Sequence, residues 1–228
     1  VQDAADLRRE FTANVTHELK TPIASIQGAA ELIRDGIAKK KDVPEFAGRI
    51  YDDARRLSDL VSDILTLSKL DDSERNGDQE LFEPSETVDL LSVARDVTDR
   101  LGPKARKVGV GVSVGGVSCP VRGNARLIDE LVTNLCDNAI RYNRVGGKVY
   151  VWALPVDGRP ALRVSDTGIG IPAEAQPKVF ERFYRVDKGR SRDMGGTGLG
   201  LAIVKHAAAY HDAEIKLESE VGKGTTIT

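Results

Sequence analysis

The chain has 228 residues, 40% of them hydrophobic and 30% charged, with a formal net charge of −2. That length suits one large domain or two small ones, and that apolar share excludes wholesale disorder. A near-neutral balance without a basic arm argues against a general nucleic-acid binder. The two cysteines, Cys119 and Cys136, stand outside any paired metal motif, which argues against a zinc module or a disulfide scaffold and for two reduced thiols.

Residues 6–39 read as one long helix. Ile23, Ile26, Ala30, Ile33 and Ile37 recur at spacings of three and four and form one apolar stripe. Pro22 falls inside this pattern and should bend the helix, because it lacks an N–H. Gly36 and the run Lys39–Lys41 suit a helix C-terminus. Asp42 then reads as an N-cap, with Glu45 completing a capping box, and residues 43–70 form a second long helix on Ile50, Ala54, Leu57, Val61 and Ile64. One hairpin cannot cover faces this broad, so pairing into a four-helix bundle, hence a homodimer, is the physical expectation.

Residues 71–80 hold no apolar side chain and mark a domain boundary. Beyond it strands and helices mix. Residues 81–84 suggest a short strand, 88–101 a helix, 108–114 a strand and 124–142 a helix. Residues 148–154 and 161–164 read as strands around a turn at 156–159, and 173–184 and 197–210 as helices. Two strands, 214–218 and 225–228, close the chain around a Gly222–Gly224 turn. The class is α+β: an N-terminal antiparallel helical hairpin, then an α/β sandwich with helices on one face of a mixed sheet. The boundaries are 1–73 for the hairpin, 74–80 for the linker and 81–228 for the sandwich.

Four groups of residues carry chemistry. In His17-Glu18-Leu19-Lys20-Thr21-Pro22, helical spacing stacks residues 17 and 21 on one face, away from the isoleucine stripe. A neutral imidazole is a competent nucleophile, and the adjacent carboxylate can take its ring proton. Asn134 and Asn138 lie one turn apart, and their amide oxygens are hard ligands suited to hydrated Mg²⁺ that bridges phosphates. Arg141 suits a phosphate, and Tyr142 offers a ring for stacking. In Asp166-Thr167-Gly168-Ile169-Gly170, the glycines let backbone approach a ligand, while the carboxylate accepts from an amino group and repels phosphate. Gly195-Gly196-Thr197-Gly198-Leu199-Gly200 runs into a helix, and such amides make an anion site. Arg185, Lys188, Arg190 and Arg192 lie just upstream. Neither glycine segment is a dinucleotide fingerprint or a P-loop. Taken singly, each group also fits a bland reading: a surface histidine, a polar helix face, a turn, a flexible link.

Their order is more telling. His-Glu-x-x-Thr-Pro on a hairpin, Asn-x-x-x-Asn, Asp-x-Gly-x-Gly and Gly-x-Gly-x-Gly together resemble the catalytic core of bacterial two-component sensor histidine kinases. Phe180-Glu181-Arg182-Phe183-Tyr184-Arg185 is similar to that family's phenylalanine box, and the run to His206 resembles the phosphate-sensing and cell-wall-sensing branch. The resemblance implies a dimerisation and histidine-phosphotransfer hairpin and a Bergerat-type (GHKL) ATP-binding domain. It also implies that His17 attacks the γ-phosphate of ATP, with Glu18 as general base. Asn138 with Asn134 would hold Mg²⁺, and Asp166 would take the adenine amino group beside Gly168 and Gly170. Tyr142 would lie near adenine or ribose, Arg141 near phosphates, and Arg185 on the γ-phosphate. Residues 186–196 would form a lid, with Gly196, Thr197, Gly198, Leu199 and Gly200 at its phosphate-facing end. The phosphoryl group would pass to an aspartate of a response regulator, and Thr21 would serve a phosphatase activity on that regulator.

His211-Asp212-Ala213 stands where the family carries His-Gly-Gly, and Gly123-Asn124 where Gly-Asp is common. Both changes fall at helix caps. No window approaches the roughly 18 apolar residues of a membrane span, and no signal peptide opens the chain. The chain opens at Val1, and its one methionine is Met194. The expectation is therefore the cytoplasmic portion of a longer membrane sensor, reaching the membrane only through a segment before Val1. Two other classes share parts of this pattern. A nucleotide-driven clamp shares the asparagine and glycine boxes but has no use for His17-Glu18 on a hairpin, and a scaffold without catalysis has no need of Asn138, Asp166 or the glycines.

Overall fold

The structure, a computed structural model, describes residues 2–76, 86–186 and 196–228. Helix α1 (Gln2–Arg34) and helix α2 (Val43–Asn76) form the antiparallel hairpin. Helix α1 stops short of residue 39 because Gly36 adopts φ +70°. The turn is closed by Gly36 N–H donating to Ile33 O at 3.2 Å and Ala38 N–H donating to Leu32 O at 2.9 Å. Helix α2 starts directly after Asp42, as its sequence predicts, and continues through residues 74–76, inside the span expected for the linker. The rest of that linker and the expected strand at 81–84 lie outside the described residues.

Pro22 stays inside α1 and is buried with Ala29 along the seam. The isoleucine stripe splits: Ile26 and Ile33 are partly buried, while Ile23, Ala30 and Ile37 remain exposed, Ile37 by 68%. On α2, Tyr51, Val61 and Leu65 are likewise exposed. A helix in a hairpin covers one seam, and a stripe wider than the seam is left bare.

The second unit begins with β1 (Glu86–Asp89), α3 (Leu90–Lys107), β2 (Gly111–Gly116), β3 (Pro120–Gly123) and α4 (Ala125–Arg141). It continues with β4 (Lys148–Val156), β5 (Arg159–Asp166), α5 (Gly200–Tyr210), β6 (Leu217–Glu220) and β7 (Gly224–Ile227). The main sheet has the order β2-β4-β5-β7-β6, with β2 and β4 parallel and the other neighbours antiparallel. Strands β1 and β3 form a separate antiparallel pair. One face of β4, Val149, Val151 and Ala153, is fully buried and packs with Val97, Val132, Cys136 and Val204 of the three helices. Both cysteines are free and buried, and burial pushes the Cys136 thiol up to about 12.

Several boundaries differ from the sequence reading. Val88 belongs to β1, because the Asp89 carboxylate caps α3 by accepting from Leu91 N–H, and it also accepts from Cys119 N–H at 2.7 Å. Strand β3 was not foreseen. Its four residues include Pro120 and Gly123, which mask a strand signal. Residues 173–184 are not a helix. Pro172 and Pro177 withhold two donors, only a 3₁₀ turn forms at Gln176–Lys178, and Phe183 leaves at φ +61° with its N–H on Gly198 O. Helix α5 starts at Gly200 rather than Thr197, with the Thr197 hydroxyl accepting from Leu199 N–H at 3.2 Å. At its far end, Asp212 takes the left-handed conformation (φ +51°) where a glycine was expected.

Candidate functional site

Helix α4 carries most of the site, and both its burial and its cap fix its rotation. Leu127, Val132, Leu135, Cys136 and Ile140 face the core, so the opposite flank presents Asn134, Asn138, Arg141 and the C-cap Tyr142. Asn124 caps its start by accepting from Leu127 N–H at 2.9 Å. The Asn124 N–H in turn donates to His211 Nε2 at 3.0 Å. His211 Nδ1 lies 2.6 Å from Ala207 O, so Nδ1 carries the proton and Nε2 is the acceptor. The residue that departs from the family beside Gly123 is thus tied to the end of α5.

A cavity of about 350 Å³ opens between α4 and the sheet, lined by Asn138, Tyr142, Asp166, Gly170, Arg185 and Thr225 among others. Asp166 ends β5 and accepts from Gly168 N–H at 2.7 Å and from Thr225 N–H at 3.3 Å through one oxygen. Burial pushes its carboxyl above the usual range, against those two bonds. The glycines beside it are sterically required. A methyl group on Gly168 would lie 2.4 Å from Tyr142 O, and one on Gly170 (φ +69°) would lie 2.1 Å from Glu220 O. Thr225 escaped the sequence reading. Its only signal there was its place directly after the Gly222–Gly224 turn.

At the other end the glycine segment meets two guanidinium groups, of Arg141 (19% exposed) and Arg185 (7% exposed). A methyl on Gly196 would touch Arg141 Nη1 at 2.9 Å, and one on Gly198 would lie 3.2 Å from Arg185 Nε. The Nε atoms of Arg141 and Arg185 are buried without a hydrogen-bond partner among the described residues. Buried donors left unpaired in this way suit an anion or an ordered water. Asn134 donates to Glu130 O at 3.0 Å, which turns its Oδ1 toward the start of α5, 2.6 Å from a methyl position on Gly200. Asn134, Arg141 and the 196–200 segment therefore edge the cavity rather than line it. Residues 187–195 of the expected lid lie outside the described residues.

His17 and Thr21 sit on the hairpin. His17 is 64% exposed, its Nδ1 lies 3.8 Å from Glu18 Oε1, and the Thr21 hydroxyl donates to His17 O at 3.3 Å. The hairpin packs on the sandwich through Leu60, Leu67, Leu199, Ala202 and Ile203, with Leu19, Ile64 and Phe183 at the margin. Polar contacts ring this apolar patch. Glu18 Oε2 accepts from Arg185 Nη2 at 2.8 Å, and Asp63 Oδ2 accepts from the Thr197 hydroxyl at 2.8 Å. Asp71 accepts from both Arg182 Nη atoms, and Arg182 lies over the Phe11 ring. Burial, with Glu130 and Asp59 nearby, pushes the Asp63 carboxyl up to about 6. Asp63, Asp71 and Arg182 were not foreseen, since nothing in a helix pattern says which of its acids meets another domain.

Two family models match the chain and together account for most of it: the His Kinase A (phospho-acceptor) domain over residues 7–73, and the histidine kinase-, DNA gyrase B-, and HSP90-like ATPase over residues 123–228. The chain belongs to the two-component sensor histidine kinases and carries their catalytic core. Its relatives include the sensor-like histidine kinase SenX3 of Mycolicibacterium smegmatis, 38% identical over 97% of this chain and 56% of that protein. The sensor histidine kinase WalK of Bacillus subtilis is 36% identical over 97% of this chain and 36% of that protein. The chain thus spans about half, or less, of the curated relatives it matches. Among solved structures, the histidine kinase AdeS of Acinetobacter baumannii superposes with a TM-score of 0.72 at 27% identity, covering 92% of this chain and 95% of that one. The histidine kinase ThkA, solved in complex with the response regulator protein TrrA, shares the fold at 20% identity, with a TM-score of 0.75 over 99% of this chain and 62% of that one. The ATPase model implies ATP binding by this kinase core. No described helix is long and apolar enough to cross a membrane.

Proposed function

We propose that this kinase core autophosphorylates on His17 with ATP and passes the phosphoryl group to an aspartate of a response regulator. The observation that carries this reading is the line from Asp166 through the cavity to Arg141 and Arg185, ending on Glu18 beside His17. One end of the cavity suits an adenine amino group and the other a triphosphate. The acidic end would repel phosphates and the guanidinium end would attract them, which orients the nucleotide. Tyr142 stands at the cavity wall and suits the adenine or ribose, and the glycine segment beside Arg141 and Arg185 suits phosphate oxygens.

Glu18 faces Nδ1 of His17. That leaves the Nε2 lone pair to attack the γ-phosphorus while Glu18 takes the Nδ1 proton. The γ-phosphorus to bridging-oxygen bond breaks and ADP departs. Positioning and charge neutralisation do most of the work in such a transfer. Asn138 and Asn134 suit Mg²⁺. Amide oxygens are hard ligands, and no cluster of three or more His, Cys, Asp or Glu able to hold a metal occurs among the described residues, so the ion fits here only together with phosphate oxygens. When bound, it supplies charge neutralisation on the phosphates.

The hairpin reads as a dimerisation and phosphotransfer domain over residues 1–73, and residues 81–228 as the ATP-binding domain. The bare residues Ile23, Ile37, Tyr51, Val61 and Leu65 support closure into a four-helix bundle with a second copy. Thr21, one turn from His17, suits a phosphatase role toward the regulator.

The test is incubation with Mg²⁺ and γ-labelled ATP beside His17→Gln and Asn138→Ala. Acid-labile, alkali-stable label that is lost in both variants is expected. Label that persists in His17→Gln overturns the assignment of the acceptor.

A further inference from the structure

The two residues proposed to complete the reaction, the base Glu18 and the phosphate ligand Arg185, are bonded to each other. Arg185 is 7% exposed at its side chain and Glu18 21%, and Arg185 Nη2 donates both to Glu18 Oε2 at 2.8 Å and to Gly196 O at 2.6 Å. The Arg185 Nε is buried without a hydrogen-bond partner among the described residues. A guanidinium has a limited fork of donors, so a carboxylate and a phosphate oxygen cannot both take the same Nη2 in full. The neighbours agree. The docked hairpin brings three acids, Glu18, Asp63 and Asp71, against Arg185, Thr197 and Arg182. All three meet the segments that flank the phosphate end of the cavity, and a triphosphate arriving there meets negative charge already in place.

We propose that Glu18 is an internal competitor of the γ-phosphate for Arg185. The inference rests on the functional reading above, in which Arg185 meets that phosphate. Without nucleotide, or with ADP, the carboxylate holds the guanidinium through Oε2, and its Oε1 stays 3.8 Å from His17 Nδ1, short of a hydrogen bond. When a γ-phosphate takes Arg185, Glu18 is released toward His17 Nδ1, which it already faces at 3.8 Å through its other oxygen. Binding of the phosphoryl donor and availability of the base are thereby one event. The coupling is reciprocal, so whatever holds Glu18 on Arg185 weakens ATP by the same factor. It discriminates ATP from ADP by the group to be transferred, without a separate specificity pocket.

Equilibrium binding of ADP and of a non-hydrolysable ATP analogue, each with Mg²⁺, tests this on the full chain. The variants are Glu18→Gln, Arg185→Ala and their combination, with Arg185→Lys as a charge-keeping control in case the alanine disturbs docking. Glu18→Gln is expected to tighten the analogue roughly fivefold or more, at the lower range of couplings between sites, and to leave ADP unchanged. In the Arg185→Ala background the same change is expected to do nothing. Equal tightening of both nucleotides, or of neither, or tightening that persists without Arg185, overturns the competition while leaving nucleotide binding intact. Absence of nucleotide binding in every variant sinks the functional reading itself, and this inference with it.

Discussion

Asp63→Asn isolates the contribution of one carboxyl to the joint between hairpin and sandwich. Asp63 is moved from an ordinary 3.8 up to about 6, chiefly by burial, and it accepts a hydroxyl proton from Thr197. The folded chain therefore binds this proton more tightly than the unfolded chain. The stability it contributes is fully present below pH 3.8 and is lost as pH rises through about 6, after which it stays lost. Each tenfold change in a proton equilibrium is worth about 1.4 kcal/mol, which sets an upper bound of about 3 kcal/mol at pH 8. Access of solvent to a half-buried group trims that to about 1–3 kcal/mol. The asparagine keeps an oxygen for Thr197 and never carries the charge. In a chain of this size each kcal/mol moves Tm by about 2–4 °C, so Asp63→Asn should raise Tm by several degrees at pH 8. At pH 4, where the wild-type side chain is itself protonated, the gain should shrink to a small fraction. Comparing variant with wild type at each pH cancels the titration of every other carboxyl. A gain of equal size at both pH values, or a loss at pH 8, refutes the reasoning.

Two further expectations concern packing. Gly168→Ala places a methyl 2.4 Å from Tyr142 O and 2.8 Å from Asp166 Oδ1, so nucleotide affinity should fall at least about tenfold, or about 1.4 kcal/mol, with helix content by circular dichroism unchanged. Leu67→Ala empties a fully buried position between α2 and α5 at about 2–5 kcal/mol, and amide exchange along Gly200–Tyr210 should quicken even where nucleotide is bound.

The sequence made the motif residues legible because each carries a local signature. Asn134 and Asn138 sit one turn apart on a strongly amphipathic helix, Gly168 and Gly170 leave no room for a side chain against neighbouring backbone, and Gly198 holds a positive φ. What it left dark was relational. Periodicity grouped Ile23 with Ile26, yet only the packed hairpin decides that one is bare and the other is not. The 173–184 segment has helical composition, but two prolines and the pull of Gly198 O on Phe183 N–H override it. Asp212 and Ala213 replace the family's glycines at a helix stop, but nothing in that pattern says that His211 beside them is the acceptor that holds the start of α4. Asp63, Asp71 and Arg182 are ordinary charged residues until the two units meet.

Helix α5 is apolar on nearly every side. Val204 and Ala207 face the sandwich core, while Ala202 and Ile203 lie under the hairpin. Lys205 and Ala209 give the helix a narrow exposed side, but the side under the hairpin is apolar, so complete separation would open Leu199 and Ile203 to water along with Leu60 and Leu67. A sliding or rolling displacement keeps those side chains covered and is the less costly route by which the nucleotide site can change its distance from His17. Contact made by such surfaces also carries a heat-capacity signature. Its driving force is entropic near room temperature and fades on cooling. The grip of the hairpin on α5 should therefore loosen in the cold, which gives this joint a dependence on temperature that its ion pairs alone would not confer.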